Sequence, residues 1–193
     1  MEFRSLCVYC GSSNRGPHGH RDAAVRLGRI LAAHRIRLVY GGGRVGVMGT
    51  IANAVLEAGG EVIGIIPRFL EAHEVAHGNV TRLEIVDSMH ERKARMASLA
   101  DGFVILPGGL GTLDELFEIL TWKQLGLHDK PIVVVDLHGY WRRLRELVEA
   151  MVTDGYVRSE HLDLLRFVSS VDSVLPALAE MPTAGLPVPS KWL

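Results

Sequence analysis

Short apolar runs alternate with segments of helical periodicity along most of the chain. Each run has the length of a strand, and the segments between them repeat apolar residues at helical spacing, as in 21–34. The predicted strands are 6–10, 37–40, 61–67, 83–86, 102–106 and 131–135, with a possible short strand in the sequence RFVSS. The predicted helices are a helix over 21–34, a helix that begins within 41–49 and ends near 58, and a helix over 89–100. A fourth helix begins after 106 and ends near 125, and two more lie near the C-terminus.

The predicted strands are continuously apolar, whereas strands with one solvated face alternate apolar and polar residues. This pattern is typical of a parallel sheet covered by helices on both faces, and it predicts a doubly wound α/β fold. A chain of 193 residues is most simply one domain. We expect that domain to span 1–181, with the proline-rich segment 182–193 as a C-terminal tail that is loose or draped over a neighbour.

Composition narrows the possible partners. The net charge of -1 gives no bulk attraction to nucleic acid or to an anionic membrane, so an anion must be bound by local geometry. The sequence contains no apolar run long enough to cross a bilayer and no signal-peptide pattern at its start. These features predict a cytoplasmic protein that binds neither nucleic acid nor membrane.

Two cysteines, Cys7 and Cys10, have the spacing of some redox and zinc sites. They fall in a predicted strand, where residues three apart point to opposite faces, and the chain has no second cysteine pair. His73 and His77 could share a helical face, but no third metal ligand is evident. We therefore predict ordinary thiols and no metal site.

Three glycine-rich turns follow predicted strands: 11–13, 41–46 and 107–112. Ligands of doubly wound folds bind beyond the carboxyl ends of the strands, where glycines allow close approach and helix N-termini offer unpaired N–H donors. Together the three turns predict a phosphate site at one edge of the sheet.

Two familiar nucleotide-binding motifs do not fit these turns. Gly41, Gly43 and Gly46 satisfy G-x-G-x-x-G, but the next strand ends in IIPR and lacks the terminal acid that binds a ribose in dinucleotide enzymes. Glu61 has a suitable sequence distance but lies at the wrong end of that strand. The sequence G-x-x-x-x-G-K-[ST] does not occur, which argues against a P-loop NTPase.

The sequence LPGGLGTLDELFE raises a question of charge, because carboxylates follow a turn suited to an anion. One interpretation is structural: Thr112 and Glu115 fit the S/T-x-x-E capping box, and early acids suit the helix dipole. The other is chemical: Glu115 could hold ribose hydroxyls and stabilise positive charge that develops when an N-glycosidic bond breaks. Arg92 is a candidate partner that binds and polarises, although its helix could equally present a solvated charged face.

At this point several segments carry a family resemblance. PGGLGTLDE resembles the P-G-G-x-G-T-x-x-E signature of the Lonely Guy family, the cytokinin riboside 5′-monophosphate phosphoribohydrolases. CGSS, GGGRVGVMG, EVAH, MHERKARM and LTWKQLGLHDKP are also similar to family segments and occur in the family's order. The resemblance covers roughly 6–141.

The resemblance implies a Rossmann-like fold, a homodimer with active sites near the subunit interface, and release of a free base and ribose 5-phosphate without metal or cofactor. It implies Arg92 and Glu115 as the catalytic pair. The positions that it implies for substrate binding are Glu74, Arg92, Lys93, Gly109, Leu110, Gly111, Thr112, Leu113, Asp114, Glu115 and Thr121. Leu110 and Asp114 differ from the residues frequent in plant members, which bears on the preferred base.

The function expected from these observations is hydrolysis of cytokinin riboside 5′-monophosphates or AMP. Two alternatives remain: a non-catalytic nucleotide-binding or sensing protein on the same scaffold, and a general nucleoside-monophosphate nucleosidase. Relatives often carry a lysine decarboxylase label. That chemistry usually needs a pyridoxal Schiff-base lysine, and Lys93, Lys123, Lys130 and Lys191 have no recognisable context for one.

Overall fold

A parallel sheet forms the centre of the structure, as the apolar runs predict. The computed structural model describes residues 3–71 and 76–181. Within these residues, seven strands pair in parallel in the order β4-β3-β2-β1-β5-β6-β7. The strands are β1 Ser5–Tyr9, β2 Arg37–Tyr40, β3 Val62–Pro67, β4 Arg82–Val86, β5 Gly102–Ile105, β6 Ile132–Val135 and β7 Arg166–Val168. The six strands predicted from the sequence are confirmed to within one residue at each end, and the possible seventh is β7.

Helices cover both faces of this sheet. They are α1 His18–Ala33, α2 Gly46–Glu57, α3 Arg68–Glu71, α4 Met89–Leu99, α5 Leu110–Gln124, α6 Arg142–Thr153 and α7 Val174–Glu180. Apolar residues of α1, α2 and α7 form one core layer, and those of α4, α5 and α6 form the other. The doubly wound, single-domain α/β architecture is therefore confirmed. None of the described helices is both long and apolar enough to cross a bilayer.

The two cysteines divide between the core layers. Cys10 packs with the α1–α2 layer, and Cys7 packs with the α4–α5 layer, so strand geometry separates them across the sheet. Both are buried free thiols, as the sequence predicts.

The order of the strands creates a switch point between β1 and β5. From β1 the chain proceeds outwards through β2, β3 and β4, and then returns to pair β5 with the other side of β1. The segments that leave β1 and β5 therefore diverge to opposite sides, and a crevice opens beyond their carboxyl ends. The glycine-rich turns after β1 and β5 occupy this crevice, and the third such turn follows β2, the strand adjacent to β1.

Lys123 is an unexpected member of the buried face of α5. It is only 5% exposed, and burial lowers its pKa to about 8, although the charge of Asp129 partly opposes this shift. The unfolded chain keeps a lysine pKa near 10.5, so at neutral pH Lys123 stays mostly protonated in both states, and folding transfers its charge to a site where burial disfavours it.

We expect Lys123→Met to raise the melting temperature at pH 7 by a few degrees. The folded pKa lies below the unfolded one, so the destabilisation by Lys123 is complete below about pH 8 and is relieved as the pH rises towards 10.5. Thermal unfolding of both proteins at pH 7 and pH 10 measures this difference. A gain that is the same at both pH values would contradict the assignment to charge burial.

Candidate active site

A cleft of about 430 Å³ lies beyond the carboxyl ends of β1 and β5. It is lined by the turn after β1, by the N-terminal ends of α1, α2 and α5, and by the side chains of Arg92, Glu115 and Tyr140. This is the position at which doubly wound folds bind ligands.

Three helices direct their N-termini at this cleft. At the start of α1 and α5, the described residues provide no side-chain hydrogen bond as a cap and no acid in the first turn, a state that α6 and α7 share. Helix α2 also has no first-turn acid, but the Asn14 side chain accepts from the N–H of its first residue, Gly46. At α4, in contrast, Ser88 caps the helix and Glu91 lies in its first turn. The first N–H groups of a helix have no partner within it and carry partial positive charge, so the cleft is suited to an anion.

The turns after β1 and β2 interlock beside the cleft. Met48 donates its backbone N–H to the carbonyl of Gly11 at 3.2 Å, and Gly46 donates to the Asn14 side chain at 3.0 Å. Gly46 has a φ of 71°, and a Cβ there would meet the backbone of Ser12 and Ser13 at about 2.5 Å. A glycine is therefore required at position 46 for the turns after β1 and β2 to pack against each other beside the cleft.

Gly109 and Gly111 need a different explanation. Neither has a positive φ, and a Cβ at either position would meet no described atom within 4 Å. Packing of the described chain therefore does not account for these glycines. Both line the cleft at the start of α5, where missing side chains leave the backbone N–H groups open to a ligand.

Arg92 is buried at the base of the cleft and is oriented by the backbone. Its Nε donates to the carbonyl of Ile65 at 3.2 Å, and its Nη2 donates to the carbonyl of Gly41 at 3.0 Å. These carbonyls belong to β3 and to the turn that follows β2, so the sheet itself fixes the guanidinium. His90, two residues before Arg92 on α4, is exposed.

Glu115 faces Arg92 from α5, and the carboxylate oxygen Oε1 lies 3.9 Å from Nη1. Both side chains are almost completely buried, so their charges interact with little screening by solvent. Burial raises the pKa of the Cys10 thiol, and the nearby Glu115 carboxylate raises it further. Cys10 therefore remains a neutral thiol within the cleft.

The capping-box interpretation of Thr112 and Glu115 is wrong. Gly109 is the N-cap residue of α5, with an extended backbone, and the helix begins at Leu110. Thr112 is thus the third helical residue, and Glu115 lies beyond the first turn. A capping-box pattern does occur at the start of α4, where Ser88 accepts from the N–H of Glu91, and Glu91 accepts from the N–H of Asp87.

Lys93 lies outside the cleft, next to Arg92 in sequence but directed at α5. Its Nζ is 3.0 Å from an Asp114 oxygen and 3.1 Å from a Glu118 oxygen. Burial opposes its charged form, but the hydrogen bonds to these two carboxylates outweigh burial and raise the pKa of Lys93. The three residues clamp α4 to α5 and so fix the helices that carry Arg92 and Glu115.

The remaining predicted site residues divide into two groups. Gly109, Leu110, Gly111 and Thr112 line the cleft with Arg92 and Glu115, whereas Leu113, Asp114 and Thr121 do not. Glu74 and His73 lie outside the described residues. His77 is buried, and its Nε2 is 2.8 Å from the side-chain oxygen of Asn53.

Sequence reasoning missed His20 and Tyr140, which also line the cleft. Helix α1 begins at His18, three residues before its predicted start, and this places His20 in the first turn. Pro17 was the available signal, because proline is favoured at the start of a helix.

Comparisons with known proteins give one family. A family model described as "Possible lysine decarboxylase" matches residues 48–178. A probable cytokinin riboside 5′-monophosphate phosphoribohydrolase of Oryza sativa subsp. japonica, LOGL9, is 48% identical over 171 residues, which are 89% of this chain and 74% of the relative. The cytokinin riboside 5′-monophosphate phosphoribohydrolase LOG1 of Arabidopsis thaliana is 44% identical over 156 residues, 81% of this chain and 73% of the relative.

Solved structures share the fold at lower identity. The molybdenum cofactor carrier protein of Chlamydomonas reinhardtii matches with a TM-score of 0.69 and 21% identity over 92% of this chain and 96% of that protein. The molybdenum cofactor binding protein of Rippkaea orientalis matches with a TM-score of 0.68 and 20% identity over 91% and 95%. At this identity the likeness establishes the Rossmann-like fold alone.

The contact between Gly41 and Arg92 leads to a prediction. A Cβ on Gly41 would collide with Nη2 of Arg92, so we expect Gly41→Ala to displace the guanidinium and to weaken binding of AMP, a ligand expected from the sequence, by about tenfold or more. Calorimetric titration measures the affinity. Gly78→Ala is the matched control, because its Cβ would meet no described atom within 4 Å. Unchanged affinity in Gly41→Ala would show that Arg92 does not need this position.

Proposed function

The chain belongs to the family of the cytokinin riboside 5′-monophosphate phosphoribohydrolases, and we propose that it hydrolyses the N-glycosidic bond of an adenine-type nucleoside 5′-monophosphate. The substrates are cytokinin riboside 5′-monophosphates or AMP, and the products are the free base and ribose 5-phosphate. The observation that carries the proposal is the buried Arg92–Glu115 pair in a cleft whose rim is suited to phosphate.

The 5′-phosphate binds at the start of α5. Backbone N–H groups of Leu110, Gly111 and Thr112 have no partner within the helix and can donate to phosphate oxygens. The open space at Gly109 and Gly111 admits the phosphate to hydrogen-bond distance. The partial positive charge of the helix terminus favours the dianion, so a local feature replaces the net basic charge that the chain lacks.

Glu115 acts on the ribose. It lies one turn beyond the proposed phosphate position on the same helix. The rise of one helical turn is similar to the distance from a 5′-phosphate to the ribose ring. Cleavage of the bond between C1′ and the base nitrogen builds positive charge on the sugar, as in glycoside hydrolysis. A fixed, buried carboxylate stabilises this charge more than it stabilises the neutral ground state, and that difference accelerates the reaction.

Arg92 positions the substrate and favours departure of the base. An arginine side chain stays protonated, so it serves as a fixed positive charge and hydrogen-bond donor. The carbonyls of Ile65 and Gly41 hold two of its nitrogens, and Nη1 is directed towards Glu115. As the C1′–N bond breaks, its electron pair passes to the base. One water supplies the hydroxyl for C1′ and the proton for the base.

A lysine decarboxylase function has no support at this site. Among the described residues that line the cleft there is no lysine. Lys93 is clamped by two carboxylates, and Lys123 is buried elsewhere in α5. The description of the family model therefore finds no counterpart in the chemistry of the cleft.

We also propose a homodimer that packs along α5. Leu110, Asp114, Phe117, Thr121 and Leu125 recur at helical spacing and form one stripe on this helix. Leu110 is 86% exposed and Leu125 is 47% exposed, and the neighbouring Leu127 is also exposed. A second copy would cover the exposed leucines of this stripe, and it would bring Thr121, which is outside its own cleft, close to the interface. We place the dimer in the cytoplasm, where free thiols such as Cys7 and Cys10 stay reduced.

Glu115→Gln tests the reaction. We expect it to lower kcat by about 100-fold or more, because the amide keeps the shape but cannot oppose the developing cation. The assay measures free base and ribose 5-phosphate released from AMP and from isopentenyladenosine 5′-monophosphate. Glu149→Gln, an exposed position on α6, is the matched control.

The same assay separates the alternatives. A strong preference for isopentenyladenosine 5′-monophosphate supports cytokinin activation, and similar rates across nucleotides support a general nucleosidase. Tight nucleotide binding without release by the wild-type protein would refute the hydrolase and support a sensing protein.

Leu125→Asp tests the dimer. We expect a charge on the α5 stripe to shift the protein from dimer to monomer, as measured by light scattering after size exclusion. Leu147→Asp on α6 is the control, since Leu147 is 48% exposed and Leu125 is 47% exposed. Equal masses for both variants would contradict an interface on α5.

A further inference from the structure

His20 is a residue of the cleft that the proposed reaction does not use. It lies in the first turn of α1 and is only 6% exposed. No hydrogen bond from either ring nitrogen to the described part of the protein is present. A buried imidazole normally has such a partner, so a ring that instead lines an open cleft is available to a ligand.

Tyr140 links His20 to the start of α5. The His20 and Tyr140 rings meet edge to face with centroids 5.1 Å apart. The Tyr140 hydroxyl donates to the carbonyl of Gly108 at 2.6 Å, and Gly108 precedes the N-cap residue Gly109. The imidazole is therefore held at the α5 end of the cleft by a chain of direct contacts.

The charge state of His20 suits a hydrogen-bond donor. Burial lowers the pKa of His20, and His138 lowers it further. The other titratable side chains that line the cleft, among the described residues, are Cys10, Arg92, Glu115 and Tyr140. A neutral imidazole retains one N–H, and a bound phosphate dianion would favour a donor or a proton at this ring.

We propose that His20 is a further phosphate-binding residue, which donates a ring N–H to the 5′-phosphate held by the N-terminus of α5. The inference rests on the proposed function for the identity of the ligand. The uncapped N-terminus of α1, to which His20 belongs, adds partial positive charge at the same place. The phosphate is thus held between two helix termini, and His20 contributes to selection of nucleotides over nucleosides.

The test separates phosphate from base by using the two halves of the substrate. Calorimetry measures the binding of ribose 5-phosphate and of adenine to the wild type, His20→Ala, His20→Gln and His34→Ala. His34 is the control, because it is exposed at the opposite end of the same helix. Hydrogen bonds to charged groups contribute about 1.5–3 kcal/mol, so we expect His20→Ala to bind ribose 5-phosphate roughly 10-fold to 100-fold more weakly.

The glutamine variant keeps an N–H donor and should recover most of this affinity, while adenine binding stays unchanged in all four proteins. In the hydrolysis assay, His20→Ala should raise KM for the nucleotide much more than it lowers kcat. These results together would establish a phosphate contact, which a merely structural role could not imitate.

Other results would overturn the inference. Equal binding of ribose 5-phosphate by the wild type and His20→Ala would remove His20 from the phosphate site. Weaker adenine binding would place it at the base instead, and equal losses in the alanine and glutamine variants would indicate a structural role. Failure of the wild type to bind ribose 5-phosphate or to release base would count against the proposed function itself.

Discussion

The structure depends on the convergence of three helix N-termini at one edge of a parallel sheet. The switch point between β1 and β5 opens the crevice, and α1, α2 and α5 all begin at its rim. None of the three has an acid in its first turn, and α1 and α5 also lack a side-chain cap in the described chain. Helices are usually more stable when capped, and α4 shows that this sequence can build a cap. At this edge the uncapped starts of α1 and α5 leave backbone N–H groups that a bound anion can satisfy.

The buried charges below this rim are arranged so that each has a fixed neighbour. Backbone carbonyls from β3 and from the turn after β2 orient Arg92, while Lys93 secures α4 to α5 through Asp114 and Glu118. A buried charge that lost its partners would be left without solvation, which is costly in free energy. The backbone carbonyls hold Arg92 in place, and the carboxylates hold Lys93. The arrangement therefore holds positive and negative charge side by side before any ligand arrives, as preorganised electrostatic catalysis requires.

The sequence was sufficient for the sheet, the family and the location of the cleft, because each depends on short-range patterns. Apolar runs mark the strands, and PGGLGTLDE marks the turn after β5. The limits appeared where two local patterns competed. Ser88–Glu91 and Thr112–Glu115 fit the same capping motif, but only the first caps a helix. Gly109 is the N-cap of α5, so Thr112 already lies inside that helix. Lys93 and His20 could not be placed from spacing, because their orientations depend on α5 and Tyr140, which are distant in sequence.

The contact between Gly41 and Arg92 has a consequence for how such chains can diverge. Any side chain at position 41 would occupy the volume of the guanidinium, and any shorter residue at position 92 would leave the Gly41 and Ile65 carbonyls buried without their donors. Neither position can therefore change first without loss, although they are 51 residues apart in sequence. The two positions therefore constrain each other. Position 41 could accept a larger residue only after Arg92 had been replaced.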